Sequence, residues 1–173
     1  MHERSIVRRV LVTVFCVAAV GGGVFGQEAP EPKPVPRLQI VPQPYEQASF
    51  QRDGVEITRY HFGPGLERPF LFPVVGPAGR SLTRMGHPHD PESHSHHNSV
   101  WITHHDVDGV NFWTDARDGT IRHKRIVEYI DEGERSTIVS ENEWVDRDGK
   151  VLLDETRRTS VTLLDGEEWL LMI

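Results

Sequence analysis

From Ala48 onward, apolar and polar residues alternate in short runs of period two, the spacing of half-buried strands rather than of a helix. The runs are 55–62 (VEITRYHF), 70–75 (FLFPVV), 80–84, 99–106 (SVWITHHD), 119–130, 135–145, 151–164 and 167–173. They are rich in Val, Ile, Thr, Tyr, Phe and Trp, the residues that fit a pleated surface. Between them stand RDG, GPAG, DVDG, DEG, DRDG and LDG, whose glycines supply the positive φ of tight turns. Beyond the N-terminus no window sustains a 3.6-residue period with capping residues. Consecutive strands joined by short turns predict an all-β fold, an antiparallel β-sandwich rather than βαβ units. Pro73 interrupts an apolar run and predicts an edge position or a bulge. Residues 38–41 can open a first strand, because prolines are tolerated at sheet edges.

The N-terminal pattern differs. Arg4, Arg8 and Arg9 precede an apolar run at 10–20, a triple-glycine break and then Val24-Phe25-Gly26. This is the layout of a signal peptide over 1–26, so a secreted or periplasmic location is expected. The run is short for a hydrocarbon layer about 30 Å thick, so no membrane association is expected after cleavage. Cys16 follows the bulky Phe15, which does not suit lipidation. Residues 27–47 are proline-rich and read as an extended linker, which leaves 48–173 for the sandwich. The chain ends on the apolar run WLLMI without a polar cap. A sandwich incomplete at its C-terminus is expected, with a centrally buried last strand as the alternative.

Charge narrows the partners. The chain carries 19 basic and 26 acidic residues, net −7; residues 1–26 hold three arginines and one glutamate, so the remainder stands at −9. That balance argues against nucleic acid as a partner. The same segment contains the only cysteine, so any metal site in the domain must use histidine and carboxylate ligands.

The candidate chemistry is concentrated. Seven of the ten histidines lie between His87 and His105, together with Asp90, Glu92, Trp101, Asp106 and Asp108. Imidazole titrates near pH 6.5, so such a cluster can move protons or offer lone pairs at neutral pH. In extended chain His94 and His96 would point one way and His97 the other. Trp101, Thr103 and His105 would share one face, and Ile102, His104 and Asp106 the opposite one. One reading is acid/base chemistry on a sugar, with His96, His97 and His105 as catalytic groups and no cofactor. Trp101 would stack on a sugar ring, and Arg68, Arg84 and Asp106 would bind its polar groups. A second reading is a divalent metal (zinc, iron or manganese) on His94, His96 and His104. The His-x-His spacing resembles that of cupins, but 98–103 supplies no carboxylate. A third reading is a non-catalytic binding module using the same surface. His61 and His123 are expected to be structural, Trp144 and Trp169 to pack, and Glu141, Glu143 and 154–158 to form a solvated strand face.

The segments RPFLFPVVGPAGRSLTR and HSHHNSVWITHHDVDGVNFW resemble the secreted bacterial family known as methane oxygenase PmoA. The matching positions are Arg68-Pro69-Phe70, the turn Pro77-Ala78-Gly79, the box His94-Ser95-His96-His97 with Ser99-Val100-Trp101, and Asp106 to Trp113. Ser95 stands where the family usually has proline, and Asn98 where it has arginine. The similarity covers roughly residues 50–173, and members of the family are typically longer than this chain. It implies a fold similar to the galactose-mutarotase supersandwich and a part in bacterial carbohydrate degradation, with a carbohydrate or other small molecule as ligand. Methane oxygenation is not expected. A membrane monooxygenase subunit needs several apolar spans of about 20 residues, and the sequence after residue 26 has none.

Overall fold

Most of the period-two segments form strands, and the Asp-Gly signals form their turns. The computed structural model describes residues 34–86, 94, 96–115 and 118–173. Residues 1–26, read above as a signal peptide, and His87 and His89 lie outside them. Among the described residues there are nine strands and no helix: β1 (Leu38–Gln43), β2 (Gln47–Arg52), β3 (Val55–His61), β4 (Phe70–Val74), β5 (Val100–Trp101), β6 (Gly119–Glu132), β7 (Arg135–Asp146), β8 (Val151–Leu163) and β9 (Trp169–Met172). All pairings are antiparallel. One sheet runs β1-β2-β3-β4-β5 and the other β6-β7-β8-β9, and the two pack face to face as a β-sandwich. No helix of the described residues is long and apolar enough to cross a membrane.

The shared core takes Leu38, Ile40, Phe50, Ile57, Tyr60 and Leu71 from the first sheet and Ile138, Val161 and Leu163 from the second. The Trp169 indole crosses between the sheets to donate to the Val75 carbonyl at 3.1 Å. Asp53 and Gly54 both take positive φ between β2 and β3, the two-residue turn whose twist matches its strands. A smaller cluster of Phe112, Ile121 and Trp144 closes one end of β6 and β7.

One expectation is extended and two change. The first strand offered at 38–41 runs to Gln43 as β1, inside the stretch read as linker, and Leu38 and Ile40 are buried in the core. Pro42 is accommodated because β1 is an edge strand. Residues 80–84 form no strand; Ser81 makes a single bridge to Val75. The run 99–106 is a strand only at Val100 and Trp101, paired with Leu71 and Phe70. Pro69 and Pro73 flank that pair on β4 and lack the N–H that a longer ladder would need.

The two isolated histidines are structural, as expected. The His61 ring lies against Phe70 at 4.7 Å and bonds the Phe72 carbonyl at 2.8 Å. His123 sits by Phe62 and Asn142. Trp144 is buried, and Arg125–Glu141 and Lys124–Glu143 pair across exposed strand faces. Arg157 departs from the solvated face expected for 154–158. It is buried and bound to Glu155, which also accepts from the Trp144 indole at 2.8 Å.

Gly119 opens β6 directly beneath Phe112. A Cβ there would meet the Phe112 ring at 2.6 Å, closer than real contacts allow. Gly119→Ala is expected to cost about 1–3 kcal/mol in urea unfolding, the usual penalty of overpacking a filled core.

Candidate functional site

Four segments converge at the end of the first sheet. Arg68 precedes β4 and is placed by its neighbour Glu67, whose carbonyl accepts from Ile121 of β6 at 2.9 Å. Trp101 ends β5, opposite Phe70. The chain turns at His94, His96, His97 and Asn98: the His97 amide donates to the His94 carbonyl at 3.2 Å and the Asn98 amide to the His96 carbonyl at 3.0 Å. Segment 81–86 runs alongside, tied by the Gly86 amide to the His97 carbonyl at 2.8 Å and by the Ser99 hydroxyl to Thr83 at 2.7 Å.

The turn overrides the strand alternation expected for the histidines. His97 does not point away from the other two: ring centroids are 4.4 Å apart for His96–His97 and 5.0 Å for His94–His97. Two tryptophans extend the cluster, with His97–Trp101 at 6.0 Å, Trp101–Trp113 at 5.5 Å and His96–Trp113 at 6.5 Å. Trp101, His97, Arg84, Ser81, Thr83 and Ser99 line an open cleft of about 520 Å³, and Trp101 and Trp113 wall a second of about 290 Å³ beside it.

Beneath the rings lies an ion pair. Arg68 is only 2% exposed, and its Nη2 donates to the Thr114 carbonyl at 2.9 Å and to Asp115 Oδ1 at 3.0 Å. Arg68 Nε and Nη1 and Trp101 Nε1 are buried without a hydrogen-bond partner among the described residues. Burial holds the His96 imidazole below its ordinary pKa, helped by His97, Arg68 and His94 and opposed by the Asp115 carboxylate. His96 is therefore neutral at pH 7 and able to accept a proton.

His94, His96, His97, Trp101, Arg68 and Arg84 thus lie in one region, whereas His104, His105 and Asp106 occupy exposed positions in the loop after β5. Loss of strand structure beyond Trp101 removes the alternation that put His105 on the Trp101 face. His104 Nδ1 is engaged with the Asp106 backbone, and the Asp106 carboxylate accepts from the Gly109 amide at 2.8 Å. Asp106 shapes the DVDG turn instead of lining the cleft. Among the described residues no three His, Cys, Asp or Glu side chains are grouped to hold a metal ion, so His94, His96 and His104 do not assemble as a ligand set. Sequence reasoning missed Asp115, the carboxylate acting on His96, and the role of Trp113. Their position just after the match to the family's Asp-Gly-Val segment was the available signal.

His61, His96 and His123 are all held low, chiefly by burial. A histidine depressed in the fold contributes stability that is complete above its unfolded value, about 6.5, and is lost as pH falls through the folded value. Thermal melts are expected to be flat from pH 8 to 7 and to drop by several degrees between pH 6.5 and 5. A constant melting temperature over that lower range would contradict the assigned burial.

No curated protein and no solved structure matches this chain. A family model matches residues 47–173, the stretch that holds eight of the nine strands and every residue of the ring cluster. The chain belongs to the family of unknown function DUF6807.

Proposed function

We propose that the protein is a secreted or periplasmic carbohydrate-processing protein, of the galactose-mutarotase supersandwich type, acting on a sugar by acid/base chemistry at His96. The observation that carries this reading is the placement of His96 against His97, which lines a cleft walled by Trp101. An indole face offers a sugar ring an apolar platform, and Ser81, Thr83, Ser99 and Arg84 offer hydrogen bonds to its hydroxyls.

Two adjacent imidazoles suit the exchange of anomers. One, carrying the proton, gives it to the ring oxygen; the other, neutral, takes the proton of the anomeric hydroxyl. The bond from the anomeric carbon to the ring oxygen opens as the carbonyl forms. Rotation and the reverse transfers close the ring with both protons returned. His96, held neutral by burial, fits the accepting role, with His97 as its partner.

The test is anomer interconversion of aldoses, followed by polarimetry with the full chain. His96→Ala is expected to lower the rate by about 10²–10⁴, the usual worth of a positioned acid or base, with sugar affinity kept. Full activity in that variant would remove His96 from the chemistry. Affinity kept with no turnover in the unaltered protein would make this a binding module.

A further inference from the structure

The ring cluster sits in an acidic chain, yet among the described residues it leaves several N–H donors unused. Arg68 is buried with Nε and Nη1 unbonded, and the Trp101 indole N–H, in the same cluster, is unbonded as well. At the mouth of the cleft the Arg84 guanidinium is exposed, and its hydrogen bond goes to the Gly86 carbonyl within its own loop. Among the described residues, no carboxylate lines this cleft. Asp115 already accepts from Arg68. A buried N–H without an acceptor is unfavourable, so an acceptor for Trp101, which lines the cleft, is expected to arrive with the ligand.

The net charge of −7 makes this local excess more telling. The molecule as a whole repels anions, so a neutral sugar would need no guanidinium at the cleft mouth, whereas an acidic one needs a local cation to enter. A guanidinium fork also matches the paired oxygens of a carboxylate or sulfate, which a single hydroxyl does not use fully. We infer that the cleft takes an acidic sugar, bearing a carboxylate or a sulfate ester, with the charged group on Arg84 and the ring on Trp101. This rests on the carbohydrate reading given above and adds the class of sugar to it.

The experiment is binding of the full chain to matched glycans immobilised side by side: homogalacturonan and its methyl-esterified form, and carrageenan and agarose. Binding to at least one acidic member is expected to be tenfold or more tighter than to its neutral counterpart. It should weaken severalfold between 50 and 500 mM NaCl, because the attraction is ionic. Preference for homogalacturonan identifies the anion as a carboxylate, and preference for carrageenan as a sulfate. Arg84→Gln, at an exposed position that the fold does not need, should bring acidic and neutral affinities within threefold of each other. Equal affinity for both members of each pair overturns the acidic-sugar inference and leaves the carbohydrate reading intact. No binding to any of the four overturns both. A preference that persists unchanged in Arg84→Gln removes Arg84 as its source.

Discussion

Replacing Phe112 by Ala is expected to lower the unfolding free energy by about 3–5 kcal/mol and to abolish ligand binding with it. The Phe112 side chain is fully buried, packed on Trp144 at 5.0 Å and on Ile121. It also anchors an irregular segment: its amide donates to the His104 carbonyl at 3.1 Å, and its carbonyl accepts from the Thr103 hydroxyl at 2.7 Å. The next three residues are Trp113, Thr114 and Asp115, which reach the rings and Arg68. A cavity here would therefore free the carboxylate and the second indole together. Domains of this size are stable by only about 5–15 kcal/mol, so urea unfolding should show the loss as a large fall in midpoint. Phe112→Leu, which refills most of the space, should restore much of both stability and binding. Loss of stability without loss of binding would separate this anchor from the site.

Arg68→Met is expected to have the opposite signature. A buried guanidinium with two unbonded nitrogens has given up hydration that one ion pair to a partly exposed Asp115 does not replace. An apolar side chain of similar length fills the same space without that cost. The variant should melt at the same temperature or several degrees higher, and yet bind ligand at least tenfold more weakly. Retention of a costly buried charge is then explained by the site it serves. If Arg68 were instead a structural cation, its removal would cost about 3–5 kcal/mol. Thermal melts and a binding isotherm on the same preparation decide between the two.

The strands that sequence reveals are those whose information is local. β6, β7 and β8 keep a long period-two pattern bounded by Asp-Gly turns, and each falls within two residues of its expected limits. β1 is legible at 38–41 despite its prolines, which an edge strand tolerates, but its extension through Pro42 to Gln43 is not. β5 was overextended, because its true length is set by Pro69 and Pro73 on the partner strand, far away in sequence. The site divides in the same way. The density of histidines located residues 94–97, and the tryptophan beside them was visible as a candidate platform. Asp115 could not be found locally, because it reaches Arg68 only when Phe112 packs under Trp144. The buried Arg157 was misread for a related reason. A charged run looks solvated until the alternation of β8 turns Glu155 and Arg157 inward together.

The most direct test of a sugar site built on Trp101 is its intrinsic fluorescence, since Trp101 lines the cleft and Trp113 walls the one beside it. Titration of the full chain with pectic and carrageenan oligosaccharides is expected to give a saturable change in emission. In Trp101→Ala the half-saturation point should rise at least tenfold, while the melting temperature stays within a few degrees of the parent protein. An unaltered half-saturation point in that variant, or no saturable change in the parent protein with any of these sugars, would contradict a carbohydrate site at the histidine cluster.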